Sequence, residues 1–222
     1  AYPQTMVELL RTDVAKAVKD RRPGNLPPFE GEITVPFERI DDPLFHIRDV
    51  KRSGGSVKCD YNDPARAATY LNGDGDKPYS LCSIRYDEYL GQFTTPDGDW
   101  SRGMSRPDFI VVTEDEADHF IIHEISTGKI GSKKSKGHRQ LLSSVMFLCS
   151  IPAVKAYIGQ FKHRTCYLSA TGCVGVDSPE NIAGGFMSIY ENLPDPVPIQ
   201  NKAIENRGFE AYETNTIHLS RK

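Results

Sequence analysis

The sequence predicts an α/β fold with a mixed central sheet flanked by helices, and three observations carry that expectation. Two apolar, β-branched runs stand in hairpin order, FIVV at 109–112 and HFIIH at 119–123. A stretch of helical length that is nearly all apolar follows Gln140, which implies burial on most sides. The order of helix, short strands, hairpin, buried helix and strands belongs to a helix-covered sheet.

At the N-terminal side, Thr5 and Glu8 form a capping box, and Met6, Leu9, Leu10, Val14, Ala17 and Val18 make one apolar stripe, so residues 5–21 read as a helix ended by Pro23 and Gly24. Pro27, Pro28, Pro36 and Pro43 confine the next segment to short edge strands. SGGSVKCDY carries a turn and another short strand, and Asp63 with Pro64 predicts a helix over 63–72. NGDGDKP offers oxygen ligands at Asn72, Asp74 and Asp76, but Lys77 and Ser83 stand where a calcium loop needs glycine and glutamate, so it reads as a turn. SLCSIRYDEY reads as a strand with GQFTT as its partner, and PDGDWSRGMSR as a loop.

Beyond the hairpin, GHRQLLSSVMFLCSI is helical and Pro152 stops it. KAYIGQF and RTCYLSA read as strands around Lys162 and His163. DSPENIAGGFMSIYENL reads as a second helix weakened by Gly184 and Gly185. Residues 193–222 read as a linker followed by a closing strand or tail, and neither an internal repeat nor a second core is expected.

Composition sets the outer limits. The chain has 222 residues, 38% hydrophobic and 26% charged, which suits one sizeable soluble domain. It holds no run of 18 apolar residues, and AYPQTMVELL lacks the basic-then-apolar pattern of a signal segment, so no membrane contact is expected. Its five cysteines lack CxxC spacing, which predicts reduced thiols in a cytosolic setting. The net charge of −3 is unevenly spread. Lys129, Lys133, Lys134, Lys136 and Arg139 form an acid-free run, placed to meet a phosphate backbone.

The chemistry sits around the hairpin. Asp108 opens one strand and Glu124 closes the other, and in an antiparallel hairpin those two ends share a rim. Two carboxylates there, with the carbonyl of Ile125 as a third ligand, suit one or two hard divalent ions such as Mn or Mg. A lysine beside them would orient a water or offset charge in phosphodiester hydrolysis. His119 and His123 share one face of their strand, and His123 reads as packed or solvated before it reads as a ligand. GKIGSKKS lacks the glycine spacing of a phosphate-cradling loop.

These residues resemble the PD-(D/E)xK nuclease superfamily, with Ser126 in place of the usual lysine. EISTGK followed by KKSKGHRQ is similar to the form used by cap-snatching endonucleases of segmented negative-strand RNA viruses, in which the lysine has moved to the next helix. DGDWSRGMSRPD is similar to the loop before the PD motif in the phlebovirus-like branch of bunyavirus L proteins. The resemblance spans Thr94 to Gln140.

It implies that residues 1–222 form one endonuclease domain, the N-terminal piece of a viral polymerase, monomeric in isolation. Such a domain cuts host capped single-stranded RNA in the cytoplasm to make transcription primers. Asp108, Glu124 and the Ile125 carbonyl match its Mn or Mg ligands. Lys136, one turn before Gln140, is the first choice of catalytic lysine, with Lys133, Lys134 and Lys129 as alternatives. His46 is the only upstream histidine available as a further ligand, with Asp74 or Asp76 in its place otherwise. Lys129, Lys133, Lys134 and Arg139 would meet RNA. A catalytically impaired RNA- or partner-binding module and a bacterial DNA endonuclease of the same superfamily are the alternatives.

Overall fold

The computed structural model describes residues 4–21, 24–48, 56–74, 77–126, 130–170 and 195–221; the side chains of 130–135 lie outside that description. The chain folds as a mixed α/β structure around a seven-stranded sheet. Its first helix forms as the capping box requires: Thr5 N–H donates to Glu8 Oε2 at 2.7 Å and Glu8 N–H to Thr5 Oγ1 at 3.2 Å. Helix α1 (Met6–Leu9) passes through a π-helical turn (Leu10–Val14) into α2 (Ala15–Asp20), burying Met6, Leu9, Leu10, Val14 and Val18.

The large sheet is built from β1 (Phe37–Ile40), β5 (Leu81–Arg85), β8 (Phe109–Thr113), β9 (His119–Ser126), β10 (His163–Ala170), β12 (Glu210–Glu213) and β11 (Val197–Pro198), in that spatial order. β9, β10 and β12 run parallel, and the other neighbours are antiparallel. The β9-to-β10 connection is made by α4 (Ile130–Ser150) and α5 (Pro152–Ile158), the crossover that a parallel pair needs. A second sheet has the order β13 (Thr216–Leu219), β4 (Arg66–Asn72), β2 (Leu44–Arg48), β3 (Lys58–Cys59). Helix α3 (Tyr86–Gly91), the ribbon β6 (Thr94–Thr95) with β7 (Gly98–Asp99), and α6 (Lys202–Glu205) complete the elements.

Two apolar clusters sandwich the large sheet. On one face Ile110, Val112, Phe120, Ile122, Cys166 and Leu168 pack with Leu141, Val145 and Leu148 of α4. On the other, Phe109, Val111, Ile121 and Ile125 pack against Phe45, Ile47 and Tyr70 of the second sheet. Every residue of β8 and β9 is therefore buried, which is why both read as nearly unbroken apolar runs. The second cluster corrects the expectation of a single core.

Other expectations change for identifiable reasons. Residues 66–72 are strand, because Asp63 caps only one turn, accepting Ala65 N–H at 2.8 Å, after which ATYL buries both of its faces. Helix α4 ends at Ser150, before Pro152, as expected, but Pro152 also begins α5: it occupies the first turn, where a missing N–H costs nothing, and the run expected as a strand at KAYIGQF is mostly helical. YDEY leaves the strand to form α3, and Thr94–Thr95 pairs with Gly98–Asp99, not with β5. The expected closing strand is two strands, one in each sheet. The helix expected at 177–193 lies outside the described residues. Among the described residues no single helix is long and apolar enough to cross a membrane.

Candidate functional site

The β8–β9 hairpin is set by its own turn. Thr113 Oγ1 donates to the Glu116 carbonyl at 2.5 Å and accepts from Asp118 and His119 N–H at 3.2 and 3.1 Å. Register follows from there, with Val111 opposite Ile121 and Phe109 opposite His123. One step further, Asp108 stands opposite Glu124, so both acids lie at one rim. Alternation puts that pair on the side of Ile110 and Ile122, the face covered by α4.

Asp108 is fixed from two directions. Its carbonyl accepts Tyr86 N–H at 2.9 Å, and its Oδ2 accepts Ile125 N–H at 2.6 Å, extending the ladder by a side chain. The backbone before it is also tied: Arg106 donates to Ser101 Oγ at 2.7 Å and Thr94 Oγ1 at 3.0 Å, while Gln140 of α4 donates to the Arg106 carbonyl at 3.2 Å. Ile125 presents its N–H and its carbonyl to the same side, toward β8. The residue in register there is Pro107, which has no N–H to give that carbonyl.

Glu124 is 8% exposed. Across β10 and β12 its register neighbours are Leu168 and Glu213, so Asp108, Glu124 and Glu213 occupy one row on the helix face. Helix α4 crosses this row at Gly137, where a Cβ would stand 2.7 Å from Leu168 Cδ1, so any larger residue needs the Leu168 side chain to shift. His138, the next residue, meets Glu213 Oε1 through Nε2 at 3.0 Å. Neither partner of that pair stands out in the sequence. His138 lies inside the basic run, but Glu213 sits in an ordinary alternating strand that carries no signal of its own.

The opposite face of β9 holds a closed polar chain. Ser169 Oγ donates to the Thr214 carbonyl at 2.5 Å, so it must accept from His123 Nε2 at 2.8 Å, and His123 Nδ1 must accept from Tyr70 Oη at 2.8 Å. That fixes one neutral tautomer. Full burial pushes the His123 pKa down to about 3 and raises the Tyr70 hydroxyl well above its ordinary value. His123 is therefore a core residue facing away from the acids.

The other expected site residues fall in different places. His46 lies on the outward face of the second sheet, because Phe45 and Ile47 take the inward one. It bonds Thr69 Oγ1 at 2.8 Å and packs edge-on against Tyr61. Asp74 lies at the opposite rim, accepting from Ser220 Oγ and from Arg221 N–H at 3.2 and 2.9 Å. Ser220 also gives its carbonyl to His119, at the start of β9 and far from Glu124. The fold does not bring His46 or Asp74 to the acid pair. Lys136 and Arg139 are exposed on α4, on the helix that covers the pair. Lys133 and Lys134 belong to its first turns with side chains outside the described ones, and Asp76 and Lys129 lie outside the described residues.

As a donor set, two carboxylates and a backbone carbonyl suit a hard ion that keeps water in its remaining positions. Among the described residues no group of three or more His, Cys, Asp or Glu gathers as a metal cage. A cavity of about 750 Å³ lies elsewhere, between α2 and the second half of α4, and includes neither acid. Comparison with protein families, with curated proteins and with solved structures finds no match.

Proposed function

We propose that this chain is a divalent-metal-dependent endoribonuclease that hydrolyses phosphodiester bonds in single-stranded RNA. One observation carries the reading: the hairpin register ends with Phe109 opposite His123, so Asp108 and Glu124, one step beyond, fall at the same rim, on the side of Ile110 and Ile122 that α4 covers. Carboxylates directly opposite on paired strands repel one another, and a divalent cation between them reverses the sign of that interaction. Asp108, Glu124 and the Ile125 carbonyl would hold Mn or Mg. A bound ion supplies charge neutralisation on the phosphoryl oxygens and a more acidic water.

The protein's own contribution is placement. Arg106, Gln140 and Tyr86 hold the backbone around Asp108, and Lys136 stands exposed on α4, the helix whose Gln140 reaches the Arg106 carbonyl. Lys136 remains the first choice for the lysine that offsets charge in the transition state. By resemblance, the substrate is host capped RNA, the product a transcription primer, and the setting a larger viral polymerase.

A second reading is favoured by the bond from Ile125 N–H to Asp108, which a purely structural end-cap would also make. On that reading the chain is a nuclease-fold module that binds RNA or a partner without cutting. Cleavage of a fluorescent single-stranded RNA with Mn, in wild type, Asp108→Ala and Glu124→Ala, decides between them. Mn-dependent cleavage lost by about 10³-fold or more in either variant supports the nuclease. Absence of any metal-dependent cleavage sinks it, and cutting of duplex DNA but not RNA selects a DNA endonuclease.

A further inference from the structure

We propose that the cleft between α2 and the second half of α4 receives a nucleobase of the substrate RNA, a near neighbour of the scissile linkage, and that Asp13 accepts from its amino edge; the proposal rests on the nuclease reading above. The cleft encloses about 750 Å³, a size usual for a ligand site. One end of it is formed by Gly103, Met104 and Ser105, and the chain runs on from there through Arg106 and Pro107 to Asp108. Three residues span at most about 11 Å, so Ser105 stands no further than that from the first acid of the pair.

Helix α4 joins the two places. Gln140 donates to the Arg106 carbonyl at 3.2 Å, which puts its flank of the helix on the side of the acid strand. Lys136, Gln140, Ser143 and Phe147 follow one another at spacings of four, three and four residues and so form one stripe. Ser143 and Phe147 of that stripe wall the cleft.

The lining decides what enters. Lys16 and Arg21 offset Asp13 and Asp20 on the α2 wall, with Lys16 and Asp20 paired at 2.9 Å, so the cleft offers no net attraction to a phosphate. What it offers is apolar surface with acceptors beside it. Met146 is 46% exposed at the edge, and its thioether is a soft surface for an aromatic ring. Arg21 holds its guanidinium over the Phe147 ring, 5.2 Å from the centroid, and a guanidinium plane is a surface on which an unstacked RNA base rests. Asp13 is half-buried in the α2 wall, and its carboxylate only accepts hydrogen bonds. The exocyclic amine of adenine, cytosine or guanine donates to it, whereas the O4 carbonyl of uracil does not.

The test maps the major cut in a single-stranded RNA with Mn present, then places abasic nucleotides one at a time on either side of that linkage. A stacked base contributes about tenfold or more, so wild type should lose about that much in kcat/KM at one position and little at the others. Ser143 is exposed, and Ser143→Trp fills the cleft from its edge. That variant should cleave the intact RNA about tenfold more slowly and lose nothing further at the abasic position. Exchanging bases at this position should show a wild-type preference of about tenfold for amino-bearing bases over uracil. Asp13→Asn, whose amide also donates, should narrow it. Thermal melts confirm that each variant is folded.

Three outcomes overturn the proposal: an active wild type indifferent to every abasic position, a Ser143→Trp enzyme that keeps the wild-type sensitivity, or a base preference that Asp13→Asn leaves unchanged. Sensitivity that survives the filling of the cleft would leave that cleft to a protein partner. A wild type inert toward every RNA removes the nuclease reading, and this inference with it. An active wild type without a sensitive position removes the inference alone.

Discussion

The carboxylate of Asp108 accepts the backbone N–H of Ile125 at 2.6 Å, so the acid that opens β8 also closes the ladder where β9 runs past its partner. On the proposed reading, structural and chemical duties share one side chain, and two substitutions separate them. Asparagine retains an acceptor for Ile125 and loses the charge; alanine loses both. Asp108→Asn should stay within about 0.5 kcal/mol of wild type, while Asp108→Ala should lose about 1–3 kcal/mol, the range for leaving a buried N–H unsatisfied. A ligand that binds only the folded state must stabilise it, so Mn should raise the wild-type melting temperature and fail to do so in either variant. Urea unfolding with and without Mn measures both quantities. A wild-type Mn response in Asp108→Asn would leave Asp108 as a cap and nothing more.

His123 makes the fold sensitive to acid. Its folded pKa, pushed down to about 3 by burial, lies below the ordinary histidine value of about 6.5, so on acidification the unfolded chain takes the proton first. The contribution is constant above about pH 6.5 and lost as pH falls toward 3, at up to about 1.4 kcal/mol per pH unit. By pH 4.5 the loss is about 3 kcal/mol. His119 is shifted the same way by burial and adds to the same window. His123→Gln, whose amide can both donate and accept, removes the first contribution alone. It should be less stable than wild type at pH 7 and show a shallower fall in urea midpoint between pH 6.5 and 4.5. Parallel curves for the two proteins would refute the assignment.

The hairpin and its two acids were legible in the sequence because everything that defines them is local. The strands differ from their surroundings in apolar content, one threonine sets the turn, and counting along the register then pairs Asp108 with Glu124. The misread elements share a different feature, a punctuating residue whose meaning depends on how the chain downstream of it packs. Pro152 ends one helix and begins the next, and Asp63 caps a turn that a buried strand then overrides. The direction of His46 is not legible from the sequence, because it is decided by which side of β2 finds a partner, and that partner is the other sheet. The pairing of His138 with Glu213 spans 75 residues and is set by how α4 lies on β10. Neither periodicity nor spacing can express it.

The seat of α4 on β10 gives the most direct test of how tightly the fold holds the row. An alanine Cβ at residue 137 would meet Leu168 Cδ1 at 2.7 Å and Cδ2 at 3.2 Å. Leu168 is fully buried and has little room to withdraw. Helix propensity alone favours Gly137→Ala by about 0.8–1.0 kcal/mol, whereas forcing a methyl into a packed core costs about 1–3 kcal/mol. The net effect should be destabilising, by about 1 kcal/mol, against the sign that propensity predicts. Leu168→Ala opens a cavity and should cost about 2–5 kcal/mol alone. In the double variant the new methyl enters that cavity, so the combined loss should fall short of the sum by about 1 kcal/mol. Urea unfolding of the four proteins measures the coupling. Strict additivity would mean that Gly137 and Leu168 do not touch, and the close crossing of α4 over the carboxylate row would have to be abandoned.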